Sequence, residues 1–114
     1  MHEYPITKRI VEIAEEHARA HSAQRVTRIH LVAGDAAGYV PDTVQLYFDE
    51  ISKGGLCDGA ELVIQRVIPQ LRCTGCGEHF VRKPFSFACP LCGADGAPTD
   101  IGREFYIESI EIEE

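Results

Sequence analysis

Four cysteines in the C-terminal half fall in two knuckles, Cys73-Thr74-Gly75-Cys76 and Cys89-Pro90-Leu91-Cys92, 12 residues apart. Four thiolates at this spacing suit one tetrahedral Zn²⁺, because each Cys-x-x-Cys turn lets two sulfurs converge on one ion. Gly77 and Gly93 follow the knuckles and allow the tight backbone that each needs. Two disulfides or a redox Cys-x-x-Cys are the rival readings. Neither accounts for two similar knuckles around a short stretch that reads as a small hairpin. A closed Cys₄ site is normally structural and keeps no position open for substrate, so it defines a fold element more than a function.

A second candidate site lies at the other end of the chain, which opens Met1-His2-Glu3. Methionine before a bulky histidine is expected to be retained, which assigns the free amine to Met1. That amine, the His2 amide nitrogen and the His2 imidazole can close two fused chelate rings on one ion. A deprotonated amide favours square-planar or tetragonal Ni²⁺ or Cu²⁺ over tetrahedral Zn²⁺. Glu3 could add its backbone amide or its carboxylate. Taken alone the signal is weak, since a histidine at position 2 is usually an exposed terminal residue.

Other chemistry-bearing residues have plainer readings. His17 and His21 are four apart on the stripe of a helix, where a packed or interface pair is the better reading than a metal site. His30 sits mid-strand with an expected hydrogen-bonded structural role. His79 stands three residues after Cys76; it reads as an exposed turn residue, with replacement of a thiolate on remodelling as the sharper alternative. Cys57 reads as a packed thiol rather than a reactive one. Arg66, Arg72, Arg82 and Lys83 gather near the first knuckle and read as a solvated rim more than as an RNA site. No nucleophile–base pair is evident and no G-x-x-x-x-G-K-[ST] loop occurs, so the chain itself is not expected to be an enzyme.

The elements that must position these groups are legible from periodicity. Residues 6–21 read as an amphipathic helix with Ile6, Ile10, Ile13, Ala14, His17 and His21 on one stripe, and Pro5 can open it. Residues 25–33 read as a strand with Ile29, Leu31 and Ala33 on one face and Val26 and Val32 on the other. A small-residue loop, Gly34 to Gly38, leads to Pro41 and a second helix over 41–52, whose stripe is Val44, Tyr47, Phe48 and Ile51. Gly54 and Gly55 end it. Residues 60–68 form a second strand that Pro69 stops, and 103–112 a last strand whose apolar phase shift predicts a bulge near Glu108 and Ser109.

Composition bounds the class. At 114 residues the chain can form one domain plus a small metal-dependent lobe. The net charge of −7 speaks against general nucleic-acid binding, because phosphate contacts need clustered Lys and Arg. No apolar run approaches the roughly 20 residues of a membrane span. The first residues lack the apolar core of a signal peptide, so a reducing, cytoplasmic setting is expected for the five cysteines.

Met1-His2-Glu3 before an amphipathic helix, Arg25-Val26-Thr27-Arg28-Ile29 leading to Gly34, Gly38 and Pro41, Lys53-Gly54-Gly55-Leu56, Gly59-Ala60-Glu61-Leu62 and the paired knuckles together resemble the HypA/HybF family. These are nickel metallochaperones of [NiFe]-hydrogenase maturation, and the resemblance covers essentially the whole chain. It implies Ni²⁺ as cargo at Met1, His2 and Glu3, and a structural Zn²⁺ on Cys73, Cys76, Cys89 and Cys92. It also implies partnership with a nickel-handling GTPase of the HypB type and with the hydrogenase large subunit. Some members also serve urease. Two features depart from the family pattern: Pro5 replaces a small polar residue and should push Tyr4 toward an extended conformation, and Gly34-Asp35-Ala36-Ala37-Gly38 is a variant loop. A zinc-ribbon adaptor for protein or nucleic acid, without a nickel role, is the alternative of a different class.

The expected fold is therefore α+β: a three-stranded sheet with two helices on one face, plus an inserted zinc-ribbon-like Cys₄ lobe. Residues 1–70 and 99–114 would form the nickel-binding domain and 71–98 the zinc-binding domain. A monomer or weak dimer is expected, with exchange of the lobe or last strand as a route to the dimer.

Overall fold

The computed structural model describes residues 3–114. Helix α1 (Glu3–Ala20) leads into strand β1 (Arg25–Gly34), a 3₁₀ turn (Asp35–Ala37), helix α2 (Pro41–Ile51) and strand β2 (Glu61–Val67). Three short strands follow, β3 (Leu71–Cys73), β4 (His79–Phe80) and β5 (Gly96–Pro98), and then β6 (Phe105–Glu113). The three long strands form a mixed sheet in the order β2-β1-β6, with β2 parallel and β6 antiparallel to β1. Parallel neighbours cannot be joined by a hairpin, so β1 and β2 need the crossover that α2 supplies. The short strands form a separate antiparallel sheet in the order β4-β3-β5.

The main core packs both helices against one face of the mixed sheet. Phe48, Ile29, Leu31, Val26, Val44, Thr7 and Cys57 are its fully buried side chains. Helix α2 uses the expected stripe, with Val44 and Phe48 buried and Pro41 in its first turn. Helix α1 is rolled from the stripe read in the sequence. It buries Thr7, Ile10, Val11, Ala14 and Ala18, while Ile6 and Ile13 flank this face against Phe105 and Ile107 of β6. Small side chains at Thr7, Ala14 and Ala18 allow a close approach that a larger stripe would prevent. His17 and His21 are consequently exposed, not packed, with ring centroids 4.4 Å apart and His21 Nδ1 3.0 Å from the His17 carbonyl.

Helix α1 also begins earlier than expected, at Glu3, so Tyr4 is helical rather than extended. The missing N–H of Pro5 costs little in a first turn, and the Tyr4 ring contact with Tyr47 of α2, at 5.3 Å, works against the steric bias that proline puts on the residue before it.

Two register shifts shape the sheet. The β1–β6 pairing passes from Ser109 opposite His30 to Ile107 opposite Leu31, leaving Glu108 as the extra residue, where the phase shift predicted a bulge. A second shift between Val26 and Arg28 was not anticipated. It turns Val26 into the core shared by Ile29 and Leu31, against the simple alternation that placed it on the opposite face. The outer face is polar. Arg28 on the central strand reaches Glu61 of β2 at 2.7 Å and Glu111 of β6 at 3.2 Å, and His30 lies 2.6 Å from Glu111. These partners, led by the His30 hydrogen bond, hold the Glu111 carboxyl below the usual range.

The chain leaves and re-enters the main sheet through one tight crossing. The Gly34 N–H donates to Glu104 O at 2.6 Å and the Ala36 N–H to Gly102 O at 2.8 Å. Gly102, at φ +98°, lies directly over Pro69, and no side chain fits between them.

Candidate metal centre

The two knuckles fold by the same local rule. In the first, the Cys73 N–H donates to Glu78 O at 2.8 Å and the Gly77 N–H returns to Cys73 O at 3.1 Å. In the second, the Cys89 N–H donates to Ala94 O at 2.8 Å and the Gly93 N–H to Cys89 O at 2.9 Å. Gly77 and Gly93 both take φ +79°, a conformation that L side chains resist. The hairpin does not lie between the knuckles, as the sequence suggested. Strands β3 and β4 instead close it across the first knuckle, and the isolated bridge between Ala88 and Asp95 spans the second. Backbone-to-sulfur bonds drive this: Gly75 and Cys76 N–H groups point at Cys73 Sγ at 3.3 Å, and Leu91 N–H at Cys89 Sγ at 3.4 Å.

All four sulfurs lie within 4.8 Å of one another. The closest approaches join different knuckles, Cys73 to Cys92 at 3.3 Å and Cys76 to Cys89 at 3.8 Å. A tetrahedral thiolate site with metal–sulfur bonds near 2.3 Å has sulfur–sulfur edges of about 3.8 Å, so the residues present fit a metal ion. All are free thiols. Cys73 and Cys89 are buried while Cys76 and Cys92 face solvent.

The electrostatics favour a cation. The Cys76 N–H, with help from the Cys92 thiol and the Gly75 N–H, lowers the Cys73 pKa to about 6. Cys76 moves the other way, to about 12: the Glu78 N–H lowers it, but Cys73, burial and the thiols of Cys89 and Cys92 together outweigh that donor. Cys73 ionises readily and Cys76 then resists, because like charges share a small volume. A bound cation removes that conflict.

The lobe has almost no other core. Its buried residues are Cys73, Phe80 and Cys89, with Leu71 and Ala94 packed against them. Among the described residues no third histidine or acid joins His17 and His21 in a donor cluster, and His79, exposed on β4, lies outside the sulfur tetrad. Cys57 is fully buried in the main core, where burial pushes its thiol up to about 12, as a packed cysteine requires. The basic group near the first knuckle is smaller than the sequence implied, because Arg66 belongs to the main sheet and pairs with Asp35 at 3.0 Å.

Met1 and His2 lie outside the described residues. Glu3 is the first residue of α1, and its carboxylate accepts the Val40 N–H at 3.3 Å, ahead of Pro41 and α2. Its carbonyl accepts the Thr7 hydroxyl at 2.5 Å. Next to it, the Tyr4 ring meets Tyr47 of α2 edge-on at 5.3 Å. The start of α1 is thus tied to the start of α2. Sequence reasoning missed this tie between residues 37 apart; the only signal was Tyr47 on the α2 stripe.

Two helices on a mixed three-stranded sheet, with a cysteine tetrad on a second small sheet, define a small metal-handling protein. A family profile described as HypA, hydrogenase/urease nickel incorporation, metallochaperone, matches residues 1–112. The chain belongs to the HypA family of nickel metallochaperones for hydrogenase maturation. It is 41% identical over 114 residues to a hydrogenase maturation factor HypA of Caldanaerobacter subterraneus subsp. tengcongensis, covering 99% of this chain and 100% of that protein. A Geobacter metallireducens factor of the same name is 38% identical over 113 residues, with 99% and 100% covered. The fold matches a solution structure of HypA at TM-score 0.71 and 23% identity, covering 98% of this chain and 96% of the other. It also matches the solution structure of the Ni metallochaperone HypA from Helicobacter pylori at TM-score 0.65 and 24% identity, with 99% and 98% covered.

Proposed function

We propose that this chain carries Ni²⁺ as cargo on Met1, His2 and Glu3, and holds a structural Zn²⁺ on Cys73, Cys76, Cys89 and Cys92. The sulfur tetrad is the observation that supports the division of labour most strongly. Four thiols from two similar turns would fill a tetrahedral shell and leave no position for exchange, which suits a resident ion and not a cargo. Cargo needs an exposed site that opens. The terminal amine, amide and imidazole meet that need and suit Ni²⁺ by donor type. The tie from Glu3 to Val40 supports a chelate with a fixed base, and it engages one oxygen of the carboxylate, so the carboxylate and the backbone amide both remain candidate donors at residue 3.

In this reading residues 1–70 and 99–114 form the nickel-handling part and 71–98 the zinc part. The expected partners are a maturation GTPase of the HypB type, which would supply the nucleotide hydrolysis, and the [NiFe]-hydrogenase large subunit as acceptor. The expected setting is the cytoplasm; no helix among the described residues is long and apolar enough to cross a membrane. Bound Zn²⁺ would supply the cohesion that the lobe's three buried residues cannot.

The test loads untagged protein with both metals and mixes it with nickel-free large subunit and the GTPase. Nickel should leave the chain while zinc stays. Retention of nickel, or parallel loss of both metals, would contradict the division into cargo and structural ion.

A further inference from the structure

The segment from Val81 to Leu91, between and across the knuckles, is exposed in a way the fold does not need. Among the described residues nine large hydrophobic side chains are exposed, and four of them, Val81, Phe85, Phe87 and Leu91, fall in this one stretch. Scattered exposed apolar residues are ordinary, but a local concentration marks a contact surface. Phe85 is the extreme case, with a relative exposure of 101%. It sits at φ +61° in a turn closed by the Ser86 N–H on Lys83 O at 3.2 Å, with Pro84 before it. That turn position favours glycine or asparagine. A bulky residue held there, in solvent, serves no purpose in packing the lobe.

Charge narrows what would cover it. Most cations of the helices and main sheet are paired: Arg9, Arg19, Arg25, Arg28, Lys53 and Arg66 all meet carboxylates. Arg82 and Lys83, beside Phe85, have no ion pair among the described residues. The Arg82 guanidinium instead stacks 4.3 Å over the Phe87 ring, which holds its charge at the apolar surface. These two cations among exposed aromatics, on a chain of net charge −7, complement an acidic surface that also carries apolar side chains. Nucleic acid fits less well, because Arg82 and Lys83, even with Arg72 and Arg103, which also lack an ion pair among the described residues, are too few to offset repulsion from a chain of net charge −7.

We propose that the Phe85-tipped loop is a docking surface for an acidic, partly apolar segment of a partner protein. The assignment rests on the carrier reading above, in which the chain must meet a GTPase and an acceptor subunit. Phe85 and Phe87 would enter apolar pockets, and Arg82 and Lys83 would meet carboxylates at their rim. None of these residues is a metal ligand in that reading, so docking and metal binding are separable.

The experiment measures the affinity of full-length, zinc-loaded wild type, Phe85→Ser and the double variant Arg82→Glu/Lys83→Glu for three probes. The probes are the purified maturation GTPase, the purified large-subunit precursor and single-stranded oligothymidine. Zinc content, circular dichroism and Ni²⁺ stoichiometry serve as controls and should not change. Wild type should bind at least one of the two proteins. Phe85→Ser should weaken that binding about tenfold or more, and the charge reversal should weaken it and flatten its salt dependence. Unchanged affinity in both variants would overturn the proposal while leaving nickel carriage intact. So would no binding of either protein to wild type, or variants that lose only oligothymidine. Failure of wild type to bind nickel, with the Phe85 effect present, would instead sink the carrier reading and keep the docking surface.

Discussion

Alanine at Gly34 and Gly102, at the crossing where the cysteine lobe leaves the main sheet, and at Gly54, in the turn after α2, separates two physical effects. A Cβ on Gly34 would overlap Gly102 O and lie 2.7 Å from the Arg103 N, yet Gly34 has an ordinary φ of −77°. Gly54 is the converse, with φ +77° and open space for 4 Å around the place a Cβ would take. Gly102 combines both, with φ +98° and a Cβ that would fall 2.5 Å from Pro69 Cα. Gly54→Ala should therefore cost only the left-handed penalty of about 1–2 kcal/mol, less about 0.4–1 kcal/mol gained by stiffening the unfolded chain.

Gly34→Ala meets backbone that cannot rotate away. Overpacking costs about 1–3 kcal/mol, and moving β6 aside also weakens the Gly34–Glu104 and Ala36–Gly102 hydrogen bonds, at about 1 kcal/mol each. After the same unfolded-chain gain the expected loss is about 2–4.5 kcal/mol, a large part of the about 5–15 kcal/mol that a domain has. Gly102→Ala should cost about 1.5–4.5 kcal/mol by adding its clash to the φ penalty, less the same unfolded-chain gain. Urea unfolding at fixed free zinc, followed by far-ultraviolet circular dichroism, reads these losses as midpoint shifts at constant slope. The reasoning fails if Gly34→Ala is no more destabilised than Gly54→Ala.

Other outcomes follow from the same structure. Phe48→Ala should lose about 3–5 kcal/mol in urea unfolding, because a fully buried ring leaves a cavity between helix and sheet; a loss under about 1 kcal/mol would mean that the core collapses around it. Chelating the metal should melt residues 71–98 while the main sheet persists, since Cys73 and Cys89 are two of the lobe's three buried residues. Thiol titration then expects four reactive cysteines and a protected Cys57, and a spectrum showing global collapse would contradict separate cores. Glu111, held down by His30 and Arg28, stabilises the fold above the ordinary carboxylate pKa and stops doing so as pH falls through its lowered value. The stability gap between wild type and Glu111→Gln should thus be full at neutral pH and shrink on acidification below about pH 4; a gap that widens in acid would reverse the assignment.

The parts of the fold carried by local pattern were legible in the sequence. Pro41 with the Val44–Phe48 stripe marked α2, the apolar phase slip marked the bulge at Glu108, and the paired knuckles marked the cysteine cluster. What escaped depended on residues far apart. The roll of α1 was hidden because Ile6, Ile10 and Ile13 define an apolar stripe as convincing as the true one; only the close approach of α1 to its neighbours, chiefly α2, at the small buried side chains Thr7, Ala14 and Ala18 selects between them. The bulge at Thr27 gives no phase signal, since β1 is apolar on both sides of its buried end. The hairpin across the first knuckle was misplaced because the Cys73 N–H to Glu78 O bond is set by sulfur-directed turns and not by side-chain alternation. The tie from Glu3 to Val40 joins two helix starts, and neither shows it locally.

The central claim is that nickel is held at the N-terminus, apart from the cysteine tetrad. It is tested most directly by titrating Ni²⁺ into untagged, zinc-loaded protein and its His2→Ala variant, reading d–d absorption and stoichiometry. The account predicts one tight equivalent with a planar or tetragonal spectrum in wild type, its loss in the variant, and unchanged zinc in both. Equal nickel binding in the two proteins, or nickel gained only as zinc is lost, would contradict it.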